Sequence, residues 1–352
     1  MSRRFIIADT HIRRGESRDL RLKVSENFTG DDLFVPIRVI RGRKDGPRLF
    51  VTAAVHGDEI NGIGIIRELM YGESLELHAG TLVLLPIVNI FGFENHTRYM
   101  PDRRDLNRCF PGNANGSLAR RMARIIFEKV ISRCDCGIDL HSAALRRTNF
   151  PNVRGDLADA RVRRLAKAFG CELMVSGKGP VGSLRRTACD AGRPTITVEA
   201  GEPWKIEPSV MELGLRGIRN VLSELGLIDL PPIRPVYQTR VDRTRWIRAG
   251  VGGILRFHVS PGQVIEANQP VATNASVFGK EQSVVVSPLD GIVLGMTTMP
   301  MAKPGEPVCH VAIPKMSVTT IKRRLDGASR RTLGQRVRHD LATNISVSDF
   351  RS

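Results

Sequence analysis

The segment AAVHGDEING sets a histidine and a carboxylate, His56 and Glu59, with two residues between them, directly after the apolar run RLFVTAAV (48–55) and where a helical pattern begins. Imidazole and carboxylate are a normal ligand pair for catalytic zinc, and that spacing lets one turn of chain reach one ion. Taken alone, H-x-x-E arises often by chance and describes many surface pairs. Its place at a strand end, where open α/β sheets build their sites, and the glycine after His56 favour the ligand reading. A catalytic zinc ion takes three protein ligands and keeps one position for water, so a third donor must come from elsewhere. His141 is the candidate: it ends the strand-like GIDLH (137–141) and is followed by the small residues Ser142, Ala143 and Ala144. His96, in a polar loop, is its competitor, while His11, His78, His258, His310 and His339 stand in terminal, turn-like or β-rich contexts.

Hydrolysis near neutral pH also needs a base that takes a proton from water and returns it to the leaving nitrogen. Glu199 ends the apolar run PTITVEAG, where an unpaired carboxylate is costly unless it serves a site. A strand-end glutamate facing solvent is the competing reading. The loop TRYMPDRRDLNRCFPG (97–112) is dense in Arg, Asp and Asn. A guanidinium there can polarise a carbonyl or clamp a carboxylate, and an adjacent Asn can add a directed hydrogen bond.

These residues need a scaffold, and the sequence supplies an α/β pattern. From about 34 to 228, buried-strand runs at 48–55, 81–88, 137–141 and 195–200 alternate with helical patterns at 117–133 and 156–169, which predicts a mostly parallel or mixed sheet flanked by helices. In the first helical pattern Leu118, Met122, Ile125, Ile126 and Val130 recur at helical spacing; in the second, Val162, Leu165 and Phe169 do. DLPPIRP (229–235) holds three prolines in seven residues and marks a boundary. Short β runs broken by Gly and Pro turns then predict a small β-barrel domain at 236–314. Residues 1–33 form an amino-terminal segment, and the KRR, RR and RVR clusters of 315–352 predict a mobile basic tail.

At 352 residues the chain fits one main domain with a smaller one appended. Its six cysteines are too sparse for a disulfide scaffold, and the CxC at Cys134 and Cys136 reads as ordinary buried thiols, which suits a reducing cytoplasm. The stretch MSRRFIIADTHIRRG is too briefly apolar for a signal peptide, and no run is long enough to span a membrane, so no membrane partner is expected. A formal charge of +17, mostly from arginine, favours anionic partners. These include an acidic substrate or, through the basic tail, nucleic acid, although stacking aromatics interleaved with basic residues are largely missing.

Four motifs, H-G-x-E, D-L-N-R-x-F, D-L-H and V-E-x-G, occur in order over roughly 35–225. In this the chain resembles the succinylglutamate desuccinylase/aspartoacylase family of zinc carboxypeptidase-like, M14-type hydrolases. The resemblance implies a zinc exopeptidase-like fold and one zinc ion per chain, held by His56, Glu59 and His141, with Glu199 as general acid/base. It implies that Arg98 stabilises the oxyanion, that Asn107 and Arg108 grip the substrate carboxylate, and that Asp105 orients His56; in GSLRRTACDAG, Arg185 is the further substrate arginine. Thr97-Arg98-Tyr99 and Asp105–Arg108 match the family pattern with extra residues between them. Relatives specific for acetylaspartate use a tyrosine from the carboxyl-terminal domain; here Tyr237 is present and none follows, which argues against an aspartoacylase. The β domain resembles the biotinyl/lipoyl-type barrel of part of the family, without a Met-Lys-Met carrier tip around Lys280.

The expected reaction is hydrolysis of the amide bond of a small acidic N-acyl amino acid by a deacylase. A metallocarboxypeptidase trimming a terminal acidic residue fits Asn107 and Arg108 equally, and the depth of the site discriminates: a site closed by the β domain admits only a small acyl group. A basic nucleic-acid-associated protein is the non-enzyme alternative. The oligomeric state, a homo-oligomer included, stays open.

Overall fold

The computed structural model describes residues 5–72, 75–279, 282–329, 332–343 and 345. Among them, twelve strands form one mixed sheet. Its centre is a parallel trio, Lys44–Ala53, Cys136–His141 and Thr195–Gly201, in which Ala53 pairs with Leu140 and Glu199 with His141. Strand side chains alternate between faces, so Leu49, Val51 and Ala53 enter one core while Phe50 enters the other. Helices Asn61–Tyr71, Ala160–Phe169 and Pro208–Glu224 cover the first face, and Leu118–Lys129 with Leu184–Asp190 covers the second. With both faces covered, the central strands read as unbroken apolar runs. Ser117 and Asp159 cap the two helices anticipated from apolar spacing, each accepting a backbone N–H two or three residues on.

The strand Arg147–Gly155 pairs antiparallel with Thr195–Gly201 and parallel with Leu173–Ser176. It escapes an apolar-run reading because it carries Arg147, Asn149 and Arg154, which line a cleft, and the buried Asn152. Within the amino-terminal segment, Phe5–Ile7 and Thr10–Ile12 form a hairpin, and Ser17–Glu26 pairs with Asp32–Arg41 at one edge of the large sheet.

Residues 236–314 are β-rich around a core of their own that includes Ile247, Phe257, Ile265, Val293 and Val311. Gly253–Phe257, Pro270–Ala275, Gln282–Val286 and Met301–Ala302 make a four-stranded sheet. Thr239–Arg248, Gly291–Thr297 and Pro307–Pro314 instead continue the large sheet, and Gly291–Thr297 pairs directly with Arg147–Gly155. This β unit is thus hydrogen-bonded into the α/β sheet. Lys280 lies outside the described residues.

The segment from Lys315 corrects the expectation of a mobile tail. It contains helices Val318–Asp326 and Leu333–Thr343, whose Ile321, Leu333, Val337 and Leu341 are buried in the main core. Arg338 forms a buried ion pair with Glu172, donates to the Gly262 carbonyl at 3.1 Å and lies 4.8 Å over Phe150. Four-residue apolar spacing on one face outweighs basic composition on the others, because each buried aliphatic side chain contributes about 1.5–3 kcal/mol. Residues 346–352 of that expected tail lie outside the described residues. No helix among the described residues is long and apolar enough to cross a membrane.

Candidate active site

The parallel trio delivers four of the singled-out residues to one sheet edge. His141 is the last residue of its strand, Glu199 lies level with it on the neighbour, and His56 and Glu59 follow the third strand in a tight connection before helix Asn61–Tyr71. Ala54 opens that connection at φ 48°, a conformation uncommon outside glycine. Gly57 is required for a different reason: a Cβ there would lie 1.9 Å from the Gly92 carbonyl carbon, so any side chain would force the connection off helix Ile90–Glu94. The glycine of H-G-x-E is therefore a packing constraint.

His56, Glu59 and His141 are buried, with ligand atoms within 4.8 Å of one another, the one such group among the described residues. Nδ1 of His56 is 2.7 Å from Glu59 Oε1, and Nδ1 of His141 is 2.8 Å from Glu59 Oε2. The far nitrogens meet other carboxylates: His56 Nε2 is 3.1 Å from Asp105 and His141 Nε2 is 2.8 Å from Asp139. Asp139 in turn accepts from the Thr52 hydroxyl at 2.8 Å. A carboxylate behind each imidazole fixes the ring and its tautomer, as metal-ligating histidines require.

The electrostatics match. Burial opposes charge on both histidines, yet Glu59 with Asp105 raises His56, and Asp139 with Glu59 raises His141 well above its ordinary value. Burial likewise opposes charge on Glu59 and Asp105, but His56 with His141 holds Glu59, and His56 with Arg98 and Arg108 holds Asp105, far below the usual carboxylate range. A corner in which three carboxylates favour positive charge on two buried imidazoles also favours a dication, so the donor set fits a single metal ion.

These groups line a cleft of about 340 Å³ together with Arg98, Asn107, Arg108, Arg185 and Glu199. Arg98 donates to Glu59 at 3.0 Å and to Asp105 at 3.2 Å, so it stands directly beside the metal-type corner despite the residues inserted between the halves of its motif. Asn107 accepts from the Leu184 N–H at 2.8 Å and thereby docks loop 97–112 against the helix that carries Arg185. Arg108 is half exposed. Arg185 is 8% exposed and donates to the Gly177 carbonyl; burial lowers its pKa. His96, the competing histidine, is exposed and apart from this group. Asp105 sits behind His56 and off the cleft lining.

Sequence reasoning missed Arg147, Asn149 and Arg154 of the lining, from the polar strand, and Trp246 from the β unit, and it set aside His310, which also lines the cleft. Trp246 and His310 stack at 4.1 Å and 6°, and Arg147 lies 4.9 Å over the indole. Burial, then Arg154 and Arg147, push His310 down to about 4. Tyr237 is elsewhere, buried with its hydroxyl beside Arg338 and outside the cleft. Asp139 was within reach of sequence reasoning, since D-x-H on a strand puts both side chains on one face.

Residues 45–225 match the family model described as the succinylglutamate desuccinylase/aspartoacylase catalytic domain. The N-alpha-acetyl-L-2,4-diaminobutyric acid deacetylase of Halomonas elongata is 26% identical over 266 residues, which is 72% of this chain and 78% of the relative. The fold is similar to a succinylglutamate desuccinylase/aspartoacylase from Rhodobacter sphaeroides, with TM-score 0.77 and 23% identity over 89% of this chain and 100% of that one. It is also similar to the product-bound ectoine utilization protein EutE (DoeB) from Ruegeria pomeroyi, with TM-score 0.74 and 21% identity over 86% of this chain and 96% of that one. The matched span contains His56, Glu59, His141 and Glu199 together with the strands that carry them, and the chain belongs to the succinylglutamate desuccinylase/aspartoacylase family.

Proposed function

We propose that the chain hydrolyses the amide bond of a small acidic N-acyl amino acid, with one zinc ion held by His56, Glu59 and His141. The observation that carries this reading is the arrangement of two carboxylate-backed imidazoles around Glu59, with a separate glutamate, Glu199, on the same cleft. Zinc bound there supplies Lewis acidity toward the scissile carbonyl and lowers the pKa of water. Glu199 accepts the proton that water gives up as its oxygen bonds to the carbonyl carbon, and passes that proton to nitrogen as the carbon–nitrogen bond breaks. Arg98, fixed by Glu59 and Asp105, donates to the oxygen on which negative charge develops. Asn107, Arg108 and Arg185 hold the carboxylate of the amino acid, and Asp105 keeps His56 oriented.

The Halomonas relative is named for a substrate whose side chain bears a second amine. Here Arg147 and Arg154 line the cleft, so the favoured side group is anionic or neutral. Trp246 and His310 bring the β unit onto the lining, which supports a small acyl substrate over a peptide. Six free thiols suit the cytoplasm as its setting. The test is a panel of N-acetyl, N-succinyl and N-formyl derivatives of aspartate, glutamate and diaminobutyrate, assayed with zinc-loaded and chelated protein. Turnover of an acidic member that disappears with chelation and returns with zinc is expected. Faster release of a terminal acidic residue from a peptide would select the carboxypeptidase reading instead.

A further inference from the structure

Glu199 is restrained from one neighbouring strand. Its Oε2 accepts from Asn149 Nδ2 at 3.0 Å, and its Oε1 is 3.5 Å from Arg154 Nη1. Asn149 and Arg154 both belong to Arg147–Gly155, the antiparallel neighbour of the Glu199 strand. Arg154 brings a positive charge and is itself tied to Asn152 Oδ1 at 3.1 Å. Asn149 brings a neutral donor, which orients a carboxylate without supplying a full compensating charge.

Asn149 is in turn held from the β unit. Gly291–Thr297 pairs with the other side of Arg147–Gly155, with Gly295 opposite Asn149, Met296 opposite Thr148 and Thr297 opposite Arg147. The Thr298 N–H donates to the Arg146 carbonyl at 2.9 Å and pins that register. A Cβ at Gly295 would lie 2.6 Å from Asn149 Oδ1 and 2.9 Å from the Thr148 carbonyl oxygen. Gly295 is not among the glycines with positive φ, so room for the Asn149 amide, and not backbone freedom, is what position 295 demands. The pairing of the same strand with Pro307–Pro314 shifts between Val293 and Gly295, a local irregularity of the kind that re-aims a strand.

We infer that Asn149 is a positioning residue for the Glu199 carboxylate, and that the β unit sets its aim through the bare backbone of Gly295. This rests on the reading of Glu199 as the general acid/base. The β unit then has a second task besides narrowing the cleft: it fixes the angle from which Glu199 meets water and the leaving nitrogen.

The experiment compares zinc-loaded wild type with Asn149→Ala, Asn149→Asp, Gly295→Ala, the Asn149→Ala/Gly295→Ala double variant and Glu199→Gln. The assay uses the N-acyl amino acid that the panel above shows to be turned over fastest. Asn149→Ala and Gly295→Ala are expected to lower kcat by about 10- to 100-fold with KM within about twofold of wild type, since misplacing a reacting group costs turnover more than binding. Zinc content should match wild type in each, and the thermal midpoint of Asn149→Ala should stay near wild type, whereas Gly295→Ala should lower it as its Cβ crowds the Thr148 carbonyl. The double variant should be no worse than the poorer single one, because both act through one hydrogen bond. Asn149→Asp keeps the shape but sets a second carboxylate against Glu199 in place of the donor, so its kcat should fall at least as far as that of Asn149→Ala, and it carries the test if Gly295→Ala does not fold. A crystal structure of Gly295→Ala should show the Asn149 amide out of hydrogen-bond reach of Glu199. Wild-type kcat in Asn149→Ala and Asn149→Asp while Glu199→Gln is inactive overturns the positioning role alone. Near-wild-type turnover in Glu199→Gln overturns the reading of Glu199 on which it rests.

Discussion

The two ends of the cleft are built by opposite rules. At the metal-type corner every functional atom has an assigned partner: both nitrogens of His56 and of His141 face carboxylates, and Glu59 accepts from Arg98 and from the Ser142 N–H. The opposite wall is cationic and aromatic, with Arg147, Arg154, Trp246 and His310 meeting through one stack, one cation–π contact and the Glu199 pair. The corner is over-determined, and the wall has capacity to spare for a ligand. Rigid wiring suits the part that performs chemistry, where a small displacement is expensive, while a surplus of donors suits the part that recognises.

Disturbing the corner should cost most. His141→Ala leaves two ligands and strands Glu59 and Asp139 without their imidazole partner, so loss of bound zinc and of measurable turnover is expected. Metal analysis of folded protein checks this, and full zinc occupancy in both His141→Ala and His56→Ala would sink the ligand assignment. Glu199→Gln sits at the seam between corner and wall; it should keep the metal and lose about 100- to 10,000-fold in kcat, because an amide fills the same space but cannot take the proton. A variant that hydrolyses substrate at a near-normal rate moves the base elsewhere.

Variants on the recognition side should change selectivity and spare the metal. For Arg108→Lys the preference for an acid substrate over its matched amide should shrink by about 2 kcal/mol, the low end for a desolvated pair because Arg108 is half exposed. The readout is kcat/KM for both substrates with both proteins; an unchanged ratio shows that Arg108 does not read the carboxylate. A test of stability, and not of turnover, probes the wall's cationic character through His310. Its pKa is about 4 in the fold against an ordinary 6.5, so the unfolded chain binds a proton that the fold refuses. Stability should therefore fall as pH drops from 6.5 toward 4, and His310→Gln should flatten that slope by on the order of 2 kcal/mol after allowing for partial exposure. Thermal midpoints across that range decide it, with parallel slopes counting against an excluded proton.

The same contrast governs what the sequence discloses. His56, Glu59, His141 and Glu199 are legible because each sits at or just past the carboxyl edge of an apolar strand, a local pattern with a positional meaning. Asn149, Arg147 and Arg154 lie on a strand whose cleft-facing polarity hides its β character, and Trp246 and His310 reach the cleft only after the β unit joins the sheet. No local spacing encodes that docking. The closing segment misled for another reason: its basic clusters drew attention from Ile321 and Leu325, and from Leu333, Val337 and Leu341, which recur every four residues and bury the two helices. Asp139 was visible in D-L-H and lacked only the strand geometry that pairs it with His141.

Arg338 gives the fold a temporal order. It joins Glu172 and Phe150 of the α/β part to the Gly262 carbonyl of the β unit, and it belongs to the last helix of the described chain. Synthesis proceeds from the amino end. His56, Glu59, His141 and Glu199 are all made before Trp246 and His310, and those before the clasp at Arg338. A growing chain thus acquires the proposed reactive groups first, the cationic and aromatic wall second and the fastening between the two last.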